Sequence, residues 1–255
     1  MSSDTSAPAD ALAFTTDTLL DGRVILKQPA AGYRVAIDPV FLAAAVPARP
    51  GERVLDAGSG VGAAALCLAA RIDGIAIEGL DIDADLAALA RDNAGAGGCA
   101  GRARFHIGDL RAPPPELRSG GLDHVMTNPP FLEAGRAQPS PQAAKARATV
   151  EGAVPLADWL HSCLRLLRPK GTLTLIHRAD RLDWILAALA GHAGTITLLP
   201  LWPRAGVPAK RVIVRATKGA SGPARLLAGL VLHDGHGGYT AEANAILRDG
   251  AGIDF

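Results

Sequence analysis

The chain has 255 residues, 49% of them hydrophobic and 20% charged, enough to bury a sizeable core in one large domain or in one domain with a small appendage. With 26 Lys+Arg against 25 Asp+Glu the formal charge is +1, which excludes a strongly basic coat protein and an acidic, disordered solvator. The charge is nonetheless divided: residues 1–110 carry 9 basic and 14 acidic side chains, whereas residues 111–255 carry 17 and 11, so a polyanionic partner is admitted on the C-terminal side.

Three cysteines, Cys67, Cys99 and Cys163, are odd in number and far apart. That excludes a disulfide scaffold and a cysteine-rich zinc site, and fits a reducing, cytoplasmic setting. The N-terminus carries acids before its first arginine, Arg23, and no apolar core with a cleavage site, so no export signal is expected. Apolar runs such as Ala63 to Ala70 meet a charge after less than half of the roughly 20 residues that a membrane span needs. Residues 1–14 are read as a disordered tail, since they are mostly small and polar and poor in the large apolar side chains that offset ordering entropy. The remainder, 15–255, is read as one domain in which 15–50 form an entrance segment to a core over 51–255.

From Arg53 onward, β-rich apolar runs alternate with Ala/Leu helical patterns, the signature of parallel strands joined by crossover helices in an α/β, Rossmann-like sheet. The first strand is Arg53–Ala57, followed by a Gly-rich turn and a helix from about Gly62 to Arg71. A second strand, Ile75 to Leu80, ends on Asp81, and Asp83 is placed to cap a helix that begins near Ala84 and fades at Asn93-Ala-Gly95. Strands follow over Ala103–Ile107 and Leu122–Thr127. After Phe131 comes a Pro/Gln/Ala-rich stretch to about Val154, too long for an ordinary tight connection. Leu156, Trp159, Leu160, Cys163, Leu164 and Leu167 recur at helical spacing; Pro169-Lys-Gly171 turns the chain into a strand over Thr172–Ile176. A helix near Leu182–Ala190 and strands near Thr195–Leu201 and Arg211–Ala216 complete the sheet. In such sheets ligands bind at the carboxyl ends of the strands.

The run Asp56-Ala-Gly58-Ser59-Gly60-Val-Gly62 lies between a strand and a helix, where glycines allow a sharp turn and close approach to the helix N-terminus. Gly58, Gly60 and Ala63 also satisfy the dinucleotide pattern, and the distance from Gly60 to Asp81 suits ribose recognition in either case. Charge separates the two: Asp56 at the strand end repels a pyrophosphate and attracts the ammonium of a methionine moiety, which favours S-adenosylmethionine. On that reading Asp81 accepts the ribose hydroxyls, Ile82 covers an adenine face, and Asp109, followed by Leu110, takes the adenine amino group. The plainer alternative for each aspartate is a helix cap.

Asn128-Pro129-Pro130-Phe131 follows the fourth strand on the same edge. An exocyclic amine of a nucleobase is a poor nucleophile because its lone pair is delocalised into the ring. The Asn128 side-chain oxygen and the Pro129 carbonyl can each accept one amine proton, the prolines stiffen the turn and remove competing N–H donors, and Phe131 offers a face for a flipped base. Orientation and electrostatics then suffice, with no metal required. His233-x-x-His236 has metal-like spacing but no third ligand nearby, and reads as exposed loop. Trp159, Trp184 and Trp202 read as core or groove fillers.

These residues resemble the class I S-adenosylmethionine-dependent methyltransferases of the amino-methylating branch with an Asn-Pro-Pro-aromatic motif. Thr16 to Pro29, Gly32-Tyr33-Arg-Val-Ala-Ile-Asp38-Pro39, Lys210 to Gly219 and Tyr239 to Ala243 are similar to the bacterial valine-tRNA adenine-37 N6-methyltransferase family, over about residues 15–250. The resemblance implies a seven-stranded sheet with its last strand antiparallel, S-adenosylmethionine as donor, and a tRNA adenine as target. It also places Tyr33 and Asp38 in a segment that closes over the cofactor. Ala146-Arg147-Ala-Thr-Val-Glu151 departs from the family's Ala-Arg-x-Glu run. Arg136, Lys145 and Arg147 in the long loop, with Lys210 and Arg211 at a strand start, read as a phosphate contact surface. Guanine-N2 methylation of ribosomal RNA, glutamine methylation of a protein, and a non-catalytic RNA-binding module share parts of this pattern.

Overall fold

The computed structural model describes residues 13–31, 34–118, 121–130 and 154–255. The sequence assigns no strand before Arg53, yet the chain opens with an antiparallel hairpin, β1 (Phe14–Leu19) and β2 (Val24–Pro29). Phe14, counted with the tail from sequence, begins β1 with the Lys27 ammonium 4.5 Å over its ring. The turn uses Leu20, Asp21 and Gly22, all at positive φ, and β2 alternates buried and exposed residues, so one face of the hairpin is turned to the core.

The central sheet contains β3 (Arg53–Ala57), β4 (Ala76–Asp81), β5 (Ala103–Ile107), β6 (Leu122–Thr127), β7 (Leu167–Arg178), β8 (Ala193–Trp202) and β9 (Arg211–Lys218). Two-residue strands β10 (Arg225–Leu226) and β11 (Leu230–Val231) add to β8. Along the sheet the order is β10-β8-β9-β7-β6-β3-β4-β5. β9 runs antiparallel to both β7 and β8, while β3 to β7 pair in parallel. The seven longer strands form the expected mostly parallel, Rossmann-like sheet with its last long strand, β9, antiparallel, and the two short strands β10 and β11 extend it to nine. β7 is longer than the sequence suggests because the expected Pro169–Gly171 turn is absorbed as a bulge: pairing with β6 jumps from Leu122↔Leu167 to His124↔Thr172, and Lys170 inside the bulge has φ 64°.

Helices α1 (Asp38–Ala45), α2 (Ala63–Arg71), α3 (Ala84–Ala96) and α6 (Ala241–Leu247) share one apolar cluster with Val54, Ile77, Phe105, Met126, Ile176 and Ile213. Helices α4 (Leu156–Leu166) and α5 (Leu182–Leu189) share another with Leu55, Leu80, Val125, Leu175 and Val214. Adjacent strand residues thus alternate between two cores, which is why these strands read as nearly continuous apolar runs. Among the described residues no helix is long and apolar enough to cross a membrane, and the three cysteines are free and buried.

Asn93 corrects one sequence expectation. Its position suggests a fading helix end, but α3 continues to Ala96 and the Asn93 side chain is 3% exposed. Its amide donates to the carbonyls of Lys27 and Val61, each at 3.0 Å, and accepts from the Lys27 N–H at 2.9 Å. One side chain therefore ties the hairpin to the glycine-rich turn after β3. Asn93→Ala leaves three backbone groups without that partner, and a buried polar group so stranded costs about 1–3 kcal/mol. The expected outcome is a loss of about 3 kcal/mol in denaturant unfolding, with amide exchange at Lys27 accelerated more than in β4; unchanged Lys27 protection contradicts the clamp.

Candidate functional site

Parallel strands deliver their carboxyl ends to one edge, and β3, β4 and β6 are immediate neighbours there, with Ala57 opposite Leu80 on one side and Thr127 on the other. Gly58 therefore leaves β3 at the level where Asn128 leaves β6. In the turn, Gly58, Gly60 and Gly62 have φ of 75°, 52° and 85°, a region that L side chains disfavour. Their surroundings differ. A Cβ on Gly58 would lie 2.9 Å from the Trp159 ring and one on Gly62 2.9 Å from Phe105, whereas one on Gly60 would meet nothing within 4 Å. Gly58 and Gly62 are small to fit protein; Gly60 faces open space. Ser59 is buried and, among the described residues, its Oγ has no hydrogen-bond partner.

Asp81 holds this turn from the end of β4. One carboxylate oxygen accepts the Gly60 N–H at 2.7 Å and the other the Asp83 N–H at 2.9 Å. Each oxygen keeps further acceptor capacity, the requirement for holding two hydroxyls. Burial raises its pKa. Asp83 caps α3 as expected, accepting from Asp85 N and Leu86 N. Ile82 and Ile107 are 54% and 48% exposed, an uncovered apolar pair at the ends of β4 and β5.

Asp56 is 2% exposed and accepts the Ala65 N–H at 3.2 Å, inside the first turn of α2. Burial pushes its carboxyl up to about 7, against the lowering effect of that N–H, and the Asp81 charge raises it further. Asp109 meets a partner that the sequence reading did not assign: Arg111 grips its carboxylate through Nε and Nη2 at 2.7–3.1 Å and holds its pKa down. Leu110 is buried in the second core, leaving its backbone for any ligand.

Asn128 is partly exposed as a residue, but its Oδ1 is buried and, among the described residues, has no hydrogen-bond partner. An acceptor in that state is costly unless something supplies a proton to it. Pro129 is buried and Pro130 exposed. Beneath them the Trp159 indole N–H donates to Thr127 Oγ1 at 2.9 Å, and Thr127 donates to the Ala57 carbonyl at 2.7 Å. Trp159 is thus more than a filler: it braces the end of β6 against β3 and packs on Gly58. Its helical spacing made it look like ordinary core.

Asp38 and Arg211, assigned separately from sequence to cofactor and to RNA, are partners of each other, with Nε to Oδ2 at 2.9 Å. This pair ties the start of α1 to the start of β9. Lys210 is exposed. Tyr33, Phe131, Arg136, Lys145 and Arg147 lie outside the described residues. The His233 ring stacks on Tyr239 with centroids 4.7 Å apart, and among the described residues no group of three His, Cys, Asp or Glu side chains is arranged to hold a metal.

Residues 34–181 match the methyltransferase small domain family. The chain is 31% identical over 209 residues to the tRNA1(Val) (adenine(37)-N6)-methyltransferase of Aeromonas hydrophila subsp. hydrophila, covering 81% of this chain and 85% of that one. It is 33% identical over 173 residues to the protein of the same name from Porphyromonas gingivalis, covering 66% and 67%. In fold it resembles the crystal structure of a predicted O-methyltransferase from Agrobacterium tumefaciens, with a TM-score of 0.71 at 23% identity over 85% of this chain and 98% of that one. The sheet order, the glycine turn and the Asn-Pro-Pro end of β6 therefore have a common explanation: the chain belongs to the methyltransferase small domain family of class I S-adenosylmethionine-dependent methyltransferases, in the group of the bacterial tRNA1(Val) (adenine(37)-N6)-methyltransferases.

Proposed function

We propose that this enzyme methylates the exocyclic N6 amine of an adenine in RNA, and specifically adenine 37 of a valine tRNA, in the cytoplasm. It works as one methyltransferase domain from residue 15 onward, with residues 15–50 as its entrance. The observation that carries the reading is the buried, unpartnered Oδ1 of Asn128, standing where β6 ends beside the glycine turn. The relatives' activity, as their names give it, supports the choice of adenine and of tRNA.

The residues present fit S-adenosylmethionine. Gly60 opens the turn to a ligand, Asp81 keeps acceptor capacity for ribose hydroxyls, Ile82 and Ile107 expose apolar surface for the adenine ring, and Asp56 supplies a negative charge for the ammonium. Gly58, Ser59 and Gly62 shape the floor, while Tyr33 and Asp38 belong to the entrance that closes over it. Asp109 serves the adenine amine with the carboxylate lone pairs that Arg111 leaves. When bound, this donor supplies an electrophilic sulfonium methyl.

The remaining work falls to the chain. Asn128 Oδ1 and the Pro129 carbonyl each accept one proton of the target amine, which holds the nitrogen pyramidal with its lone pair directed away from the ring. Pro130 fixes the turn, and Phe131 stacks on the flipped base. Trp159 and Thr127 act as positioning residues by holding the end of β6 in register with β3. Arg136, Lys145, Arg147 and Lys210 contact RNA phosphates; Arg211 reaches them only while sharing its guanidinium with Asp38.

Labelled methyl transfer to total tRNA, followed by digestion to nucleosides, is expected to yield N6-methyladenosine at position 37. Recovery of N2-methylguanosine alone, or label in protein glutamine, contradicts the assignment; cofactor binding without any transfer supports the non-catalytic alternative. Asn128→Ala is expected to keep cofactor affinity within about twofold and lower kcat by on the order of 10²–10³, the loss typical of removing one preorganised polar group. Equal loss of binding and turnover refutes that role.

Asp56 gives a pH signature. Its pKa in the folded chain is about 7, and an ammonium beside it favours the ionised form. Affinity for S-adenosylmethionine should therefore be full above that pKa and weaken as pH falls, by about tenfold at one unit below it. Because the folded chain holds this proton more tightly than the unfolded chain, the same group contributes a stability that fades as pH rises from near 4 to near 7. Asp56→Asn is accordingly expected to raise the unfolding midpoint of the ligand-free protein at pH 8 and to flatten the pH dependence of binding. Thermal unfolding at pH 8 checks the midpoint and calorimetric titration across pH 6–8 the binding profile; an unflattened profile removes Asp56 from the ammonium site.

A further inference from the structure

Trp184 is 61% exposed, although the sequence reading placed it in the core or a groove. The other two tryptophans are anchored, with Trp159 donating to Thr127 and Trp202 donating to the Ala228 carbonyl. Trp184 instead stands in the first turn of α5, off the face that buries Ile185, Ala188 and Leu189. The Arg181 guanidinium lies 5.5 Å over its ring. An aromatic side chain left this open forgoes hydrophobic stabilisation that burial would provide, and uncovered aromatics are characteristic of contact surfaces.

Topology puts this ring on the edge that carries the reaction. α5 begins where β7 ends, β7 lies next to β6, and the carboxyl end of β6 carries Asn128. The start of β9 closes on the same place, with Arg178 paired to Arg211 and the Ala179 N–H donating to the Lys210 carbonyl at 3.1 Å. The parallel strand β8 delivers Arg204 to that edge as well. Asp180 and Asp38 are taken up by Arg178 and Arg211. Among the described residues Arg181, Arg204 and Lys210 form no salt bridge, and the unpaired acids at this edge include Asp183 and Asp234, the latter brought beside Pro203 by the His233 N–H at 3.1 Å. An open indole bordered by cations matches the two demands of an unpaired nucleotide: a π-face for the base and positive charge for its phosphates.

We propose that Trp184, with Arg181 over it and Arg204 and Lys210 on the same edge of the sheet, is a stacking platform for an unpaired base of the RNA substrate other than the base being methylated. The proposal rests on the RNA reading of the site but uses none of the residues that bind cofactor or touch the target amine.

The test is titration of intrinsic fluorescence with a short unstructured oligoribonucleotide, alongside steady-state methyl transfer to tRNA. The wild-type emission is expected to be quenched, and Trp184→Phe to remove most of that quench while retaining affinity within a few-fold, because phenylalanine still stacks. Trp184→Ala should weaken oligonucleotide binding and raise KM for tRNA by about 5- to 150-fold, with kcat at saturation and S-adenosylmethionine affinity unchanged. If tRNA is methylated and Trp184→Ala leaves KM and oligonucleotide affinity as they were, the platform is overturned while the catalytic assignment stands. Quenching that depends on Trp184 in a protein that methylates no RNA supports the platform and counts against the catalytic assignment alone. Quenching by an acidic polypeptide and not by RNA assigns the surface to a protein partner and overturns the proposal.

Discussion

A sheet buried on both faces leaves its strands few places to keep polar chemistry other than their ends, and this molecule uses its two ends in opposite ways. At the amino end the polar groups satisfy one another. His124, 7% exposed, bonds Glu52 through Nε2 at 2.9 Å and Thr172 through Nδ1 at 2.7 Å, while Asp123 accepts from the Arg53 N–H and pairs with Arg168. At the carboxyl end they do not. Among the described residues Asn128 Oδ1 and Ser59 Oγ are buried without partners, Gly60 opens onto space, and Asp56 is held at a pKa far above that of a solvated carboxylate. One edge is a closed electrostatic structure, and the other is built with bonds still to be made.

That asymmetry has an energetic cost, and the fold offsets it locally. The ends of β3 and β6 carry the unsatisfied groups, and they are also the points braced by Trp159 through Thr127 to the Ala57 carbonyl. Asp81 gives the glycine turn a fixed carboxylate support instead of a flexible one. Phe105 fills the space beneath, close enough to Gly79 and Gly62 that neither position accepts a side chain without displacement of the ring. The edge with poorly compensated acceptors thus sits on a closely packed part of the sheet, the usual relation between function and stability in enzymes.

Much of this was legible in the sequence where local rules decide. The bounds of β3, β5 and β6 follow from apolar runs flanked by polar and glycine residues, the glycine turn from its composition, and the cap at Asp83 from its place before an Ala/Leu pattern. Long-range pairing was not legible. Asp38 meets Arg211 across 173 residues, and no periodicity in either segment announces it. Asp109 reads as a free acceptor because nothing in spacing shows that Arg111 folds back onto it. The hairpin was within reach: Asp21-Gly22 between two alternating runs is a turn signal, and it is easily passed over where the stronger α/β pattern begins later. Trp184 was misread because helical spacing says which residues share a face, not which of them a neighbouring element covers.

Asn93 carries an architectural lesson beyond its own hydrogen bonds. It is anchored in a helix of the main sheet, yet two of its three bonds end on the hairpin and the third on Val61 of the glycine turn. A shortened protein that began at Arg53 would retain every strand of the large sheet and still leave a primary amide stranded against a surface stripped of its cover. The hairpin β1–β2 cannot therefore be treated as a detachable ornament. Any lineage that shed it would have to replace this asparagine in the same event, or give up the shape of the turn that Val61 belongs to.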